Sequence, residues 1–416
     1  MATPRKLVTT SGQKLLIGRE IASRGQGTTY ESLVLDTKQK IVVKLFKKQF
    51  NTDNTRRRIE YLVRHRFSER CPIIAGPFET IADGTHLGHS APYAEGNSLD
   101  QLLQKGSVNL VQAIQLGVAL THTVGVMHDE NIAHGDLHSE NVLVEVASDD
   151  VLIPHLIDLD NFNAPGQPPP DMVGQNLYLA PEQRQAIAAG KPAVPDIYTD
   201  RFQLGILIHE AILLKHPATG ADHDEAAFHE AMCRGQWIHD PCNGGERYSA
   251  LGGCPSGILG TELSRLFRRS LSLDRTFRPT ASEWKEALQR ALMRVFICLR
   301  CNGSFIADAY SFCCPHCKTP FPKIVIVAPA GRAIAIEEAA VSIGRDSLDG
   351  NPTVSAQHAI FRRRGPMTYV ESRGRNGTYR WDGKSWVRLP DRTLIAVKAG
   401  DRLRFGELAV HLREAG

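Results

Sequence analysis

The chain has 416 residues, 42% of them hydrophobic, and a formal net charge of +4. That length buries more than one core, so two or three domains are expected. So mild a charge argues against a nucleic-acid binder or a membrane-surface protein. The N-terminus, MATPRKLVTTSGQKLLIG, carries no apolar core of signal-peptide length, and no stretch approaches the ~20 apolar residues of a membrane span. Nine cysteines, partly in Cys-x2-Cys pairs, suit a reducing compartment and a metal better than a disulfide framework. A cytoplasmic protein is expected.

In chain order, residues 14 to 91 read as short strands with one helix among them. IVVKLF (41–46) is a β-branched run suited to a buried strand. NTRRRIEYLVRHR (54–66) spaces Ile59, Leu62 and Val63 as a helix does. From about 98 to 293 the pattern is helical, with LVQAIQLGVALTHTVGVMHD, TDRFQLGILIHEAILLK and SEWKEALQRALMRVF as the main segments. APGQPPPD (164–171) within it reads as a surface loop. A Cys-rich segment, 298–317, follows without a flexible linker. From Ile324 onward short strands alternate with Gly, Asn and Asp turns, the pattern of a β-sandwich.

Phosphoryl transfer demands positioning and charge neutralisation more than covalent chemistry. It needs a cation for the α- and β-phosphates, carboxylate and amide oxygens for Mg²⁺, and a carboxylate for the attacking hydroxyl. The chain offers these groups in order in IVVKLF, HGDLHSEN (134–141) and LIDLDNF, followed by YLAPEQ, TDRFQLG and FRPT. The series resembles the eukaryotic-like (bacterial Hanks-type) protein kinase family over about residues 14 to 293. The resemblance implies that Lys44 binds phosphate, with Glu60 on the next helix as its partner. It makes Asp136 the catalytic base, and Asn141 and Asp158 the ligands of Mg²⁺ or Mn²⁺. Asp200 would anchor the catalytic loop, and Arg278 would pair with Glu182. In SAPYAEGNSL (90–99), Ala91 guards the back pocket while Pro92 and Ala94 contact the adenine of ATP. Pro keeps its C=O and loses only its N–H, so the first contact survives. IASRGQGTTY (21–30) supplies Gly25 and Gly27 for the phosphate loop, with Ala22 and Arg24 where the family has glycines; a lone GxG is otherwise a hairpin turn.

Three departures from the family pattern stand out. Gly135 replaces the arginine that receives an activation-segment phosphate, and Asn161 to Leu179 contains no Ser or Thr, its one hydroxyl being Tyr178. The phosphate switch is therefore absent, and the segment is expected to fold constitutively or under a partner's control. His138 replaces a lysine and is expected to contact the γ-phosphate when protonated, with phosphate oxygens raising its pKa. Asp160 replaces a glycine, either adding a metal carboxylate or stiffening the turn. HGDLH also occurs in aminoglycoside phosphotransferase-like kinases, which act on small molecules but lack the Ala-Pro-Glu segment and the later Asp and Arg anchors. A protein substrate is preferred. The alternatives are a pseudokinase scaffold that binds ATP and phosphoproteins, and a small-molecule phosphotransferase.

CLRCNGSFIADAYSFCCPHC places Cys298-x2-Cys301 and Cys314-x2-Cys317 as a tetrahedral thiolate set for a structural Zn²⁺. It resembles a zinc ribbon, with Cys313 competing with Cys314 and His316 a turn residue. His223, His229, Cys233, His239 and Cys242 form a looser set, read as core and surface residues rather than ligands. In the tail, SIGRD, VSAQHAIF, GRNGTYRWDG and GDRLRFG resemble in order a forkhead-associated (FHA) domain, whose loops bind phosphothreonine. The resemblance assigns phosphate to Arg345 and Ser355 and the peptide main chain to Asn376. Arg375 and Thr378 are further candidates for ligand contact, while Gly344, His358 and Gly377 are structural.

The expected architecture is multidomain α+β. A bilobal kinase fold spans 1–293 (N-lobe about 1–94, C-lobe about 95–293), a zinc ribbon 294–322 and an all-β FHA sandwich 323–416. The expected partners are a protein substrate and a phosphothreonine protein. Similar kinases are often encoded with a PP2C-type phosphatase, sometimes with a von Willebrand factor A-type protein. Neither a membrane nor a nucleic acid is expected.

Overall fold

The structure, a computed structural model, describes residues 5–106, 108–147, 151–171, 174–219, 224–243, 253–298, 300–307, 312–321, 323–329, 332–336, 340–348 and 350–414. Its contacts divide the chain into two compact units. One comprises residues 1–256 and 263–292, the other residues 257–262 and 293–416.

The first unit opens with an antiparallel sheet of six strands: β1 (Arg5–Val8), β2 (Lys14–Arg24), β3 (Gly27–Val34), β4 (Lys40–Phe46), β5 (Glu79–Ala82) and β6 (Leu87–Pro92). They lie in the order β1-β2-β3-β4-β6-β5. Alternation along β4 buries Ile41, Val43 and Leu45 against Leu15, Ile17, Val34 and Ile81, which leaves Lys44 on the opposite face. Between β4 and β5 runs helix α1 (Asp53–His65), capped by Thr52, whose side chain accepts the Thr55 N–H. Its inward stripe is Thr55, Arg58, Ile59 and Leu62.

The rest of this unit is mainly helical. Helices Leu110–His128, Ile197–Leu213 and Ala281–Leu292 pack together, and Leu288 comes so near Gly117 that a Cβ there would meet it at 3.0 Å. Helix Leu110–His128 is long and apolar enough to cross a membrane by length and composition, contrary to the expectation that no such stretch exists; more than half of it is buried inside the protein. Against this layer lies a small sheet of β7 (Asn97–Ser98), β8 (Val142–Val146) and β9 (Leu152–Leu156). The β8–β9 hairpin sets the catalytic-type loop before it and the LIDLDNF segment after it side by side.

The second unit contains the hairpin β10 (Val295–Ile297) and β11 (Ser304–Ile306), with Phe305 stacked on Phe321 at 5.5 Å. A β-sandwich follows, built from β12 (Ile324–Val327), β13 (Ala333–Ile336), β14 (Ala340–Ile343), β15 (Ala359–Arg364), β16 (Met367–Ser372), β17 (Thr378–Trp381), β18 (Trp386–Arg388), β19 (Leu394–Val397), β20 (Arg402–Phe405) and β21 (Leu408–Glu414). One sheet runs β13-β12-β21-β20-β17-β18 and the other β14-β15-β16-β19. Ile326, Ile343, Phe361, Val370, Phe405 and Val410 interdigitate between them. The buried Arg363 of β15 donates to the Phe321 carbonyl, 3.1 Å away, and tethers the hairpin region to the sandwich.

Candidate functional site

Four of the residues singled out from the sequence are joined by an unbroken chain of contacts. The Lys44 ammonium lies 2.6 Å from Asp158 Oδ1. The Ile157 amide, next to Asp158, donates to the Asn141 carbonyl (3.0 Å). Asn141 Nδ2 in turn donates to the Asp136 carbonyl (3.0 Å). Asp158 sits in the left-handed region at φ 60, ψ 61, a conformation that costs a non-glycine residue free energy and points to a functional constraint. Asn141 Oδ1 and Asp158 Oδ2 take no protein hydrogen bond among the described residues. A carboxylate oxygen and an amide oxygen left open this way suit a hard divalent cation such as Mg²⁺.

Asp200, at the start of helix Ile197–Leu213, fixes the loop from below. Its two carboxylate oxygens accept the amides of His134 (2.7 Å) and Gly135 (2.9 Å). Gly135 adopts φ +81, and a Cβ there would meet the Asn161 carbonyl at 2.2 Å. The arginine missing from this position therefore has no room. Asp136 is bracketed by side chain and main chain alike: Asn161 Nδ2 donates to Oδ2 and the Gln175 amide to Oδ1, both at 3.1 Å. Arg278, fully buried, makes the expected fork to Glu182 with both bonds at 2.7 Å.

Two expectations around Lys44 change. Glu60 does not pair with it; Glu60 is exposed, because the inward stripe of α1 is 55, 58, 59 and 62, and residue 60 falls on the far side. Asp160 takes that place, with Oδ2 2.5 Å from the Lys44 ammonium and Oδ1 3.1 Å from His89 Nε2. Burial alone would lower the Lys44 pKa, but Asp160 and then Asp158 outweigh it and raise it. α1 instead sends Arg58 inward. Its guanidinium donates to the carbonyls of Pro168, Asp160 and Phe162 at 2.5, 2.7 and 2.6 Å. Burial pulls its pKa down to about 10, against the charges of Asp160 and Asp171.

The expected protonated state of His138 is also opposed. Its ring is buried, which lowers its pKa, and Nδ1 accepts the Glu140 amide (3.3 Å). An accepting Nδ1 places the proton on Nε2, which lies 3.7 Å from Asp136 Oδ1. Tyr178, the activation segment's one hydroxyl, is buried and donates to Glu210 (2.5 Å). Burial pushes the Glu210 carboxyl up to about 8.

Gly25 lies in the tight turn between β2 and β3, and Gly27 begins β3, where a Cβ would strike the Leu45 carbonyl at 2.7 Å. The turn reaches across the cleft: Gln26 donates to Asn161 Oδ1 (3.1 Å), and Arg24 pairs with Glu140. Ala91 is buried at the end of β6, where Pro92 faces Ile41 across the ladder. The Ala94 amide makes no hydrogen bond among the described residues, so the donor that an adenine needs is free.

The four ribbon cysteines converge. Cys298 and Cys317 are 3.8 Å apart and Cys301 and Cys314 3.7 Å apart, and all four sulfurs lie within 4.8 Å of one another. A tetrahedral Zn²⁺ with bonds of roughly 2.3 Å requires sulfur–sulfur edges of roughly 3.8 Å, so the set fits zinc. Cys314 belongs to it and the exposed Cys313 does not. His316 bonds to the Ser304 carbonyl, as a turn residue does. In the looser set His229 contacts Cys233 and Arg184, and Cys242 contacts Arg268. These residues form no metal group among the described residues, and His223 lies outside them.

In the sandwich the buried His358 joins three loops. Nδ1 accepts the Ser355 amide (3.1 Å), Nε2 donates to the Gly377 carbonyl (3.0 Å), and its own amide bonds to Ile343. Around it Arg345 is exposed and, among the described residues, spends only Nε, on the Val354 carbonyl, leaving both terminal nitrogens for an anion. Ser355 Oγ accepts the Arg375 amide, and Asn376 Nδ2 donates to the Thr353 carbonyl. Thr378 departs from its expected role. It is fully buried on the inner face of β17 opposite Phe405 and touches no ligand surface.

Sequence reading missed Arg58 and His89. Arg58 falls on the helix's apolar stripe, a signal available from spacing; His89 becomes significant only through its register opposite Lys44.

Residues 17–291 match the family model described as protein kinase domain, and residues 331–406 that of the FHA domain. Calcium-dependent protein kinase 10 of Oryza sativa subsp. japonica is 27% identical over 225 residues, 53% of this chain and 36% of that protein. Serine/threonine-protein kinase PknD of Protochlamydia amoebophila is 26% identical over 196 residues, 40% of this chain and 19% of that protein. Calcium-dependent protein kinase SK5 of Glycine max is 28% identical over 175 residues, again 40% of this chain, and 34% of that protein. The chain thus spans between a fifth and just over a third of these relatives' lengths.

Proposed function

Because the chain belongs to the protein kinase family, we propose that it transfers the γ-phosphate of ATP to serine or threonine hydroxyls of proteins, and that its FHA domain binds phosphothreonine on a partner or on its own phosphorylated form. The observation that carries this reading is the contact chain through Lys44, Asp158, Asn141 and Asp136. ATP·Mg²⁺ supplies the transferable phosphoryl group and the charge that polarises it. Lys44 holds the α- and β-phosphates. Asn141 Oδ1 and Asp158 Oδ2 hold the cation. Asp136, aimed by Asn161 and the Gln175 amide, orients the acceptor hydroxyl and takes its proton. Pro92 and Ala94 receive adenine through main chain, under the Gly25–Gly27 turn. Zn²⁺ is structural here, since four cysteines leave no open coordination position.

A protein acceptor is favoured over a small molecule by the Glu182–Arg278 fork, which ties down the end of the activation segment, and by the Asp200 anchor of the catalytic loop. In the FHA domain Arg345 and Ser355 receive the phosphate, while Asn376 and Arg375 meet the peptide. A PP2C-type phosphatase or a von Willebrand factor A-type protein would be a functional partner. Incubation of the full chain with labelled ATP·Mg²⁺, beside Asp136→Asn, separates an enzyme from an ATP-binding scaffold. Label appearing on protein with the first and not the second is the expected result. Binding of ATP without transfer, equal in both, would establish the scaffold.

A further inference from the structure

Related kinases hold the phosphate-binding lysine with a glutamate from the helix, yet the helix of this chain points Glu60 to solvent. The lysine is nevertheless held. Lys44 and His89 are directly opposed across the β4–β6 ladder, so their side chains share one face of the sheet. Each takes one oxygen of the same carboxylate: Lys44 on Asp160 Oδ2 at 2.5 Å, His89 on Asp160 Oδ1 at 3.1 Å. The Asp160 side chain is 6% exposed, against 40% for Asp158. Its main chain is fixed as well, because Arg58 donates to its carbonyl.

We propose that Asp160, braced by His89, is the positioning residue that sets Lys44 for the nucleotide phosphates, in place of a helix carboxylate. The role rests on the kinase reading given above. It divides labour between the two acidic residues of the loop. Asp160 has each oxygen facing a protein cation or ring nitrogen, whereas Asp158 keeps Oδ2 open. It also alters how the helix communicates with the site. Through Arg58, α1 is coupled to the Asp160 backbone rather than to Lys44 by a carboxylate of its own.

The test measures binding of a methylanthraniloyl-ATP probe with Mg²⁺ to the full chain. Asp160→Asn is expected to weaken binding about tenfold or more, and Glu60→Gln less than twofold. In a Lys44→Met background Asp160→Asn is expected to add less than twofold, since a residue acting through Lys44 has nothing left to position. His89→Gln is expected to cost two- to fivefold, again only when Lys44 is present, and it decides the matter should Asp160→Asn not fold. A full penalty persisting in the Lys44→Met background overturns the proposal. So does a raised Mg²⁺ requirement at unchanged nucleotide affinity, which would make Asp160 a metal ligand. Indifference to Asp160→Asn in a wild-type chain that binds the probe overturns this role alone. A wild-type chain that binds no probe overturns the kinase reading and this role together.

Discussion

His138 shows how one hydrogen bond decides a protonation state. A lysine at this position would bring a fixed charge; the histidine accepts the Glu140 amide at Nδ1 and is buried. Protonating Nδ1 would set donor against donor. The ring therefore serves as a neutral Nε2–H donor beside Asp136, and the expected rate of transfer is flat from pH 7 to 8.5. His138→Gln, which keeps an N–H in reach, should retain most of the rate, while His138→Ala should lose about tenfold, the worth of roughly 1.4 kcal/mol in a transition-state hydrogen bond. A pH–rate profile settles the sign: a tenfold decline between pH 7 and 8.5, flattened in His138→Lys, would mean that the ring works as a cation. The same scale distinguishes the neighbouring cysteines. Zinc content by mass spectrometry should be one per chain in Cys313→Ser and fall away in Cys314→Ser, because only the second removes a sulfur from the tetrahedron.

At the scale of elements, the activation segment is held without a phosphate. Arg58 spends its guanidinium on three carbonyls between Asp160 and Pro168, and hydrogen bonds from a buried charged group contribute about 1.5–3 kcal/mol each. Arg58→Met should therefore speed amide exchange across 161–171 by at least tenfold while leaving the β12–β21 sandwich unchanged. A mutant with unaltered exchange would show that the segment is held elsewhere. The sequence made the candidate groups legible because phosphoryl transfer demands fixed residue types in a fixed order, and Lys44, Asp136, Asn141 and Asp158 are joined by one chain of contacts. The ribbon was legible for a similar reason, since metal geometry leaves few spacings. Facing was harder to read. Glu60 seemed the lysine's partner and Thr378 a ligand contact, but which side of a helix or strand turns inward is set by what packs against it. Asp160 was visible as a departure; its contact with His89, 71 residues earlier, was not, and the β4–β6 register sets that histidine opposite Lys44.

Across the whole molecule, several buried histidines share one arrangement: one ring nitrogen donates to a carbonyl and the other accepts an N–H. His209 bonds to the Lys215 carbonyl and accepts from Trp237 Nε1. His216 bonds to the Leu177 carbonyl and accepts the Ala218 amide, and His358 repeats the pattern in the sandwich. Burial lowers all three, His216 to about 3 and His209 well below its usual value. A histidine depressed in the folded chain is protonated first in the unfolded one. Its contribution is present above about pH 6.5 and is lost as pH falls toward the folded value, at about 1.4 kcal/mol per unit for each group. Glu210 works in the opposite sense. Raised to about 8 by burial, it is already protonated in the folded chain at pH 7, so acidification favours folding through that one group. Carboxylates held low by partners, such as Glu182 beside Arg278, yield only below about pH 4.5. Between pH 6.5 and 5 the histidines therefore outweigh the single glutamic acid. Melting followed by differential scanning fluorimetry should drop by several degrees over that window, with a smaller drop in His216→Gln. A transition that stays level or rises at pH 5 would mean that these rings accept protons without losing their bonds.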